Sequence, residues 1–453
     1  MRTVVLKPVL FLGVLAVVLP QRAQGQEREP GLIPVLTLDD AVSIAKGSNK
    51  TIQVSGLDVA RAREKVAQVK TNYLPQLASY VQTGILLQPI DFTIPAGTLG
   101  TFPATGPIPA TDAAIRTPQQ LSAVIYASAG QPLTQLFKVK LAVQQAHLGI
   151  DLANEGLRAK EHDTIRQVKE AYYQIVHTQS QVEDAIASVK YLEELSAVTE
   201  SRLAEKTVLL SDSLAIKART KQQRYQLLAL QDALEVQKQA LNRLLGRDLR
   251  TSFAVEAESA PAIEELDLET ARSHAVQQRP EIRQARLQSK MAELDARREK
   301  AEYIPDVSAQ VSYLSFQNIT FVPQNVGFAG LLLKWQPFDW GMKRHRISEL
   351  KTVTKQYALT EQDIKDQVLL DVEQTFRKLA AARVLLDAQN DMQQAERERL
   401  RESTHRYEQK VLLLFDLLER QTAVSQAEAQ YQQALSAFWT ARAEFERALG
   451  MDQ

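Results

Sequence analysis

The chain contains no cysteine. Disulfides, thiolate metal sites and a lipid-bearing cysteine behind a cleaved leader are excluded together, so packing and hydrogen bonds must hold the fold. Charge of one sign is lacking as well. Its 54 basic residues balance 54 acidic ones, and no basic surface speaks for a nucleic-acid partner. Past the N-terminus no apolar run approaches the ~20 residues of a membrane-spanning helix, which leaves strands as the route into a bilayer. Catalytic signatures are equally scarce. The six histidines stand apart without ligand spacing, no nucleophile has a credible base, and "AKGSNK" at Ala45 lacks phosphate-loop spacing and reads as a helix interruption. No enzyme activity, metal or cofactor is expected.

What is present starts with a leader. Arg2 and Lys7 precede an apolar stretch at 9–19, and Ala23 and Gly25 suit a small-x-small cleavage site, so residues 1–25 read as a secretory signal. Beyond it the chain is written twice. "LTLDDAVSIAKGSNKTI" from Leu36 answers "LDLETARSHAVQQRPEI" from Leu266, and "YLPQL" from Tyr73 answers "YIPDV" from Tyr303. "QPL" at Gln131 answers "QPF" at Gln336, and "RLLGRD" from Arg243 answers "RALGMD" from Arg447. The spacing between copies falls from 230 to 205 because the first copy carries an insertion at 89–118, which holds six of the 17 prolines and is expected to be a loop. The copies are placed at 26–260 and 261–453.

Each copy reads in one order: helix, Tyr-x-Pro boundary, two strands around a loop, Gln-Pro boundary, long helices. Pro75, Pro305, Pro132 and Pro337 sit where a helix must stop or start. Val307, Ala309, Val311 and Tyr313 alternate with Ser308, Gln310 and Ser312, the period of a strand wet on one face. Leu121, Ala123, Ile125 and Ala127 repeat this more weakly; 76–88 and 326–335 are assigned from their place in the repeat. The helices step by three and four, through Val168, Tyr172, Ile175, Gln179, Val182, Ile186 and Val189, and through Leu369, Val372, Phe376, Leu379, Arg383 and Leu386. Such steps mark coiled-coil seams. The first helix, from 134 to about 202, would span roughly 100 Å at ~1.5 Å per residue.

Four strands facing lipid cannot leave open edges, because unpaired backbone groups in hydrocarbon cost several kcal/mol each. The smallest transmembrane barrels need about eight strands, so two or three chains must share one. The aromatic residues Tyr313, Phe316, Phe321, Trp335, Phe338 and Trp340 would then form an interfacial girdle. A final duplicated segment, "RLAEKTVLLSDSLA" at 202–215 and "RYEQKVLLLFDLLE" at 406–419, sets a bare apolar run between charged stretches.

This ordered set, with "QPFDWG" and the repeated Arg-x3-Lys-x5-Asp segment, resembles the TolC-type outer-membrane efflux protein family over essentially the whole chain after the leader. The resemblance implies a mainly α fold with a β hairpin pair. It also implies a long coiled-coil helical barrel, a twelve-stranded transmembrane β-barrel shared by a homotrimer, and a location in the outer membrane reaching into the periplasm. It implies a passive channel of a tripartite efflux or type I secretion system, partnered by a periplasmic adaptor, an inner-membrane transporter and outer-membrane lipid. By the same resemblance Asp416, Glu419 and Asp212 become candidates for a periplasmic gate, since rings of acids favour cations at a pore. Arg202, Lys206, Val208, Leu209, Leu210, Arg406, Lys410, Val411, Leu412, Leu413 and Leu414 become candidates for adaptor contact. Lys206 and Lys410 stand where the family commonly turns on glycine. The competing reading is a soluble secreted or periplasmic coiled-coil adaptor or spacer, against which the alternating strand at 307–313 and the insertion at a hairpin position both argue.

Overall fold

The computed structural model describes residues 34–85, 87–88, 91–116, 120–256, 267–319, 322–409 and 411–451. The expected leader, Phe321 and Lys410 lie outside these, as does the side chain of Leu414. A two-residue strand β1 (Val35–Leu36) leads into α1 (Leu38–Ser48) and α2 (Lys50–Lys70). The break between them is made by Asn49. Its Oδ1 accepts the amides of Thr51 and Ile52 at 2.8 and 3.2 Å, capping α2, while its Nδ2 donates to the Leu244 carbonyl at 2.7 Å. A 3-10 turn at Thr71–Tyr73 and Pro75 end the helix and release β2 (Gln76–Ile85).

The insertion is more than a loop. It holds β3 (Asp91–Ile94), β4 (Thr101–Phe102), β5 (Gly106–Pro107) and β6 (Ala113–Arg116), with β3 paired to β6 and β4 to β5, both antiparallel. Then follow β7 (Leu121–Pro132), α3 (Leu136–Ala204), α4 (Leu210–Leu244) and β8 (Ala254–Val255). The second copy supplies α5 (Leu268–Gln278), α6 (Pro280–Lys300), β9 (Asp306–Gln317), β10 (Asn325–Lys334), α7 (Met342–Glu408) and α8 (Leu414–Leu449). The helices match in order and length: α1 and α5 both have 11 residues, α2 and α6 both 21, and α3 and α7 have 69 and 67.

The two copies are fused through one four-stranded sheet in the order β10-β9-β7-β2, antiparallel throughout. Below it the helices lie side by side: α2, α3, α6 and α7 in one tier, and α4, α3, α8 and α7 in the other. Heptad positions bury the seam of α3. Val168, Tyr172, Ile175, Val182 and Val189 are inside as expected, but Thr178 and Ala185 take the places assigned to Gln179 and Ile186, and Ile186 is exposed. Close helix approach favours the small residue over the large one. In α7, Val372, Leu379 and Leu386 are buried, with Val368 and Thr375 deeper than Leu369 and Phe376.

A belt closes the waist of the rods. β1 pairs parallel with β8, and the buried Tyr172 hydroxyl lies 3.0 Å from the carbonyls of both Leu36 and Glu256. Arg279, only 5% exposed, reaches Asp371 at 3.2 Å, and Arg447 joins the same carboxylate at 2.9 Å. A buried guanidinium needs such a partner. Gly246 and Gly450, both left-handed, end the last helix of each copy and press against the α1–α2 break and the α5–α6 break respectively. No helix among the described residues is long and apolar enough to cross a membrane.

Candidate functional site

Each copy of the duplicated apolar run lies at a helix turn, between α3 and α4 and between α7 and α8, as the family resemblance implies. At the first, α3 ends in a pair of closing bonds, from the Lys206 amide to the Leu203 carbonyl at 3.0 Å and from the Thr207 amide to the Arg202 carbonyl at 2.9 Å. That pairing requires the residue after the cap to be left-handed, and Lys206 accordingly has φ +59°. The lysine thus adopts the glycine conformation without being glycine. At the second tip the Val411 amide donates to the Arg406 carbonyl at 3.0 Å, the same long closure.

Around these turns the apolar side chains stand outward. Leu209, Leu210, Val411, Leu413 and Phe415 are 61–75% exposed, while Val208 and Leu412 are half-buried. A patch of this kind at the far end of a rod suits a partner surface. Lys206 and Arg406 are exposed beside it, but Arg202 is half-buried and donates to the Tyr407 hydroxyl at 3.0 Å, with its guanidinium 5.7 Å from that ring. It ties the two tips together. Arg219 of α4 makes a second tie, to the Thr422 hydroxyl of α8 at 2.9 Å. Neither Tyr407 nor these ties was named from sequence, although Tyr407 lies inside the duplicated segment.

The candidate acids divide into two kinds. Asp212 and Asp416 occupy equivalent third positions of α4 and α8, where a carboxylate complements the helix dipole, and Asp212 also accepts the Leu209 amide at 3.4 Å. Glu419 lies one turn further along, exposed. It has no capping role, so it is the better probe of a gate. Higher up the rods, between α3, α7 and α8, Asp184 faces the Arg397–Glu428 ion pair of 2.9 Å. Burial, then the nearby Glu428 carboxylate, raise its pKa to about 6 against the pull of Arg397.

At the other end, strand register sorts the sheet into two faces. Leu77, Val81 and Ile85 of β2, Leu121 and Ile125 of β7, Val307, Val311 and Tyr313 of β9 and Leu331 and Leu333 of β10 share one face. Gln76, Gln82, Ser122, Ser128, Ser308, Gln310 and Ser312 share the other. Phe316, expected in the girdle with Tyr313, lies by its parity on the opposite, polar face of the sheet. Trp335, Phe338 and Trp340 are exposed where β10 gives way to α7. The turn there is set by Asp339, whose carboxylate accepts the amides of Gly341 and Lys343 at 3.1 and 3.0 Å and holds Trp340 outward at φ +56°. At the same level Lys138 of α3 is clamped by Glu302 at 3.0 Å and Asp306 at 2.9 Å, locking rod to sheet.

Residues 41–247 match the family described as Outer membrane efflux protein, which bears out the resemblance read from the sequence. No curated protein matches the chain. Among solved structures, it is similar to the open-state MtrE outer-membrane channel of Neisseria gonorrhoeae, with 18% identity, a TM-score of 0.69, and coverage of 91% of this chain and 88% of that one. The VceC outer-membrane protein of Vibrio cholerae has 15% identity and a TM-score of 0.70, covering 91% and 96%. The CmeC outer-membrane channel of Campylobacter jejuni has 12% identity and a TM-score of 0.71, covering 91% and 85%. The mainly helical architecture expected from the sequence is therefore the fold of these channels.

Proposed function

We propose that this chain is one protomer of an outer-membrane efflux channel that carries solutes from an inner-membrane transporter and its periplasmic adaptor to the exterior. One observation carries the reading: a sheet with a predominantly apolar face and two edges left unpaired within the chain, β2 and β10, mounted on rods of 69 and 67 residues. An apolar face open to water is costly, and open edges in lipid are costlier still. Lipid against the face removes the first cost, pairing of β10 of one copy with β2 of the next removes the second, and three copies give a closed barrel of the size the family resemblance implies. The exposed tip residues Leu209, Leu210, Val411 and Leu413 then form the surface offered to the adaptor, and Asp416, Glu419 and Asp212 recur as acid rings at the periplasmic mouth. A soluble coiled-coil spacer is disfavoured because it has no use for the apolar sheet face.

Replacing Asp416 and Glu419 by Ala tests the gate in a planar bilayer. The reading expects conductance or leak current to rise; Glu419→Ala alone should produce most of the rise, because Asp416 also serves its helix. Unchanged current with intact oligomers would remove the gate from this position. Migration of the membrane fraction as a monomer on an unheated detergent gel would overturn the channel itself.

A further inference from the structure

The polar face of the sheet carries an aromatic band that neither packing nor the girdle uses. Tyr80 of β2 and Tyr126 of β7 are directly opposite in register and stack, with ring centroids 4.9 Å apart and planes at 29°. Tyr80 is 53% exposed even so. Leu314 of β9 is abreast of Tyr126; Phe316 stands one row toward the loops and Phe328 of β10 one row toward the helices. Phe328 folds over Gly330, where an added Cβ would come within 2.8 Å of the ring. The glycine thus lets a large ring lie flat along the face instead of projecting from it.

The chemistry around the band is equally specific. Asp306 and Lys334 are the sole charged residues of the four strands, and they face each other in register at the helix end, so the rest of the face is neutral. Gln82 stands beside the tyrosine pair and Gln310 one row from Phe328, supplying amide donors and acceptors at the edges of the rings. With the apolar face toward lipid, this band lines the lumen. We propose that it is a transit subsite for planar aromatic solutes without net charge, and that such compounds are the cargo class for which the barrel is lined. Ring faces bind flat π systems by offset stacking and amides satisfy their polar edges, whereas a neutral face offers nothing to hold a metal ion or a charged polypeptide.

The proposal rests on the channel reading, and its test separates the two. The full-length trimer is placed in a planar bilayer in KCl with indole as probe and cyclohexanol as the aliphatic control of similar size. The wild type should show transient indole blocks, and Tyr80→Ser/Tyr126→Ser should shorten them about fivefold, the scale of one lost aromatic contact. Tyr80→Phe/Tyr126→Phe should retain them. Equal block times in wild type and serine variant, or equal blocks by cyclohexanol, would overturn the subsite while leaving the channel intact. Should the double serine variant fail to assemble on an unheated gel, Tyr80→Leu alone, which keeps an apolar side chain of similar reach, is expected to give the same shortening. Saturation-transfer NMR of indole on the detergent-solubilised trimer reads the contact without current: transfer lost in the variant supports the band, and transfer equal in both refutes it. Intact trimers that pass no current, with or without gate substitutions, would instead count against the channel.

Discussion

Gly246 and Gly450 are repeat-related glycines in nearly the same backbone state, φ +69° and +73°, yet alanine should harm one far more than the other. Each substitution incurs the left-handed penalty of an L-residue, about 1 kcal/mol. At Gly450 the added Cβ meets Arg279 N and Gln278 C at 3.2 Å, contacts that a small shift relieves. At Gly246 it would lie 2.0 Å from the Ser48 carbonyl oxygen and 2.7 Å from its carbon. Backbone atoms must then separate by more than an ångström, which adds about 2 kcal/mol of overpacking. The same movement pulls Asn49 from the Leu244 carbonyl, a bond of 2.7 Å made by a buried side chain, for about 1 kcal/mol more. The totals are about 4 kcal/mol for Gly246→Ala and about 1–2 kcal/mol for Gly450→Ala. Hydrogen exchange at the α1–α2 break reads this locally: the Gln53 amide, bonded to the Asn49 carbonyl at 3.0 Å, should exchange roughly a thousandfold faster in Gly246→Ala. Amides at the α5–α6 break should quicken only roughly tenfold in Gly450→Ala. Acceleration within about threefold in the two variants would refute the reasoning, because it would mean that conformation alone, and not the close approach, sets the cost.

At the first tip, Lys206→Gly should stabilise the turn by about 1 kcal/mol, since glycine takes φ +59° without Cβ strain, and Thr207 amide exchange should slow; Lys206→Ala, which keeps the strain, should leave it unchanged. Asp184 predicts a pH dependence whose sign follows from its raised pKa of about 6. The folded state holds its proton more tightly than the unfolded chain, so the destabilisation is absent below pH ~4, accumulates toward pH 6 and is constant above. With its partial exposure to water discounted, it amounts to about 1 kcal/mol. Asp184→Asn should therefore unfold at a higher temperature than wild type at pH 7 and at the same temperature at pH 4; equal melting at both would rule out the strained carboxylate.

Much of the architecture could be read because its signals are local. Tyr-x-Pro and Gln-Pro boundaries mark backbone states that a few adjacent residues decide, and the paired helix lengths follow from them. The misses share a different cause. Apolarity alone puts Ile186 in the seam, but the contact is close and goes to Ala185, since helix spacing is set by the neighbour's surface. Chemical type groups Phe316 with Tyr313, whereas three residues along a strand reverse the face. The pairing of β3 with β6 inside the insertion joins segments about twenty residues apart with no alternation to announce them.

Long-range contacts at the tips were nonetheless implicit in the repeat. Equivalent positions lie 204 apart, and when two equivalent hairpins pack side by side, each residue near the end of one meets a residue about 204 away in the other. Arg202 meets Tyr407, 205 positions on, and Arg219 meets Thr422, 203 on. Both ties are asymmetric. The counterpart of Arg202 is Arg406, which is exposed, and the counterpart of Tyr407 is Leu203, with no hydroxyl to offer. Duplication therefore set which residues face each other, while divergence between the copies decided that each facing pair could bond only once.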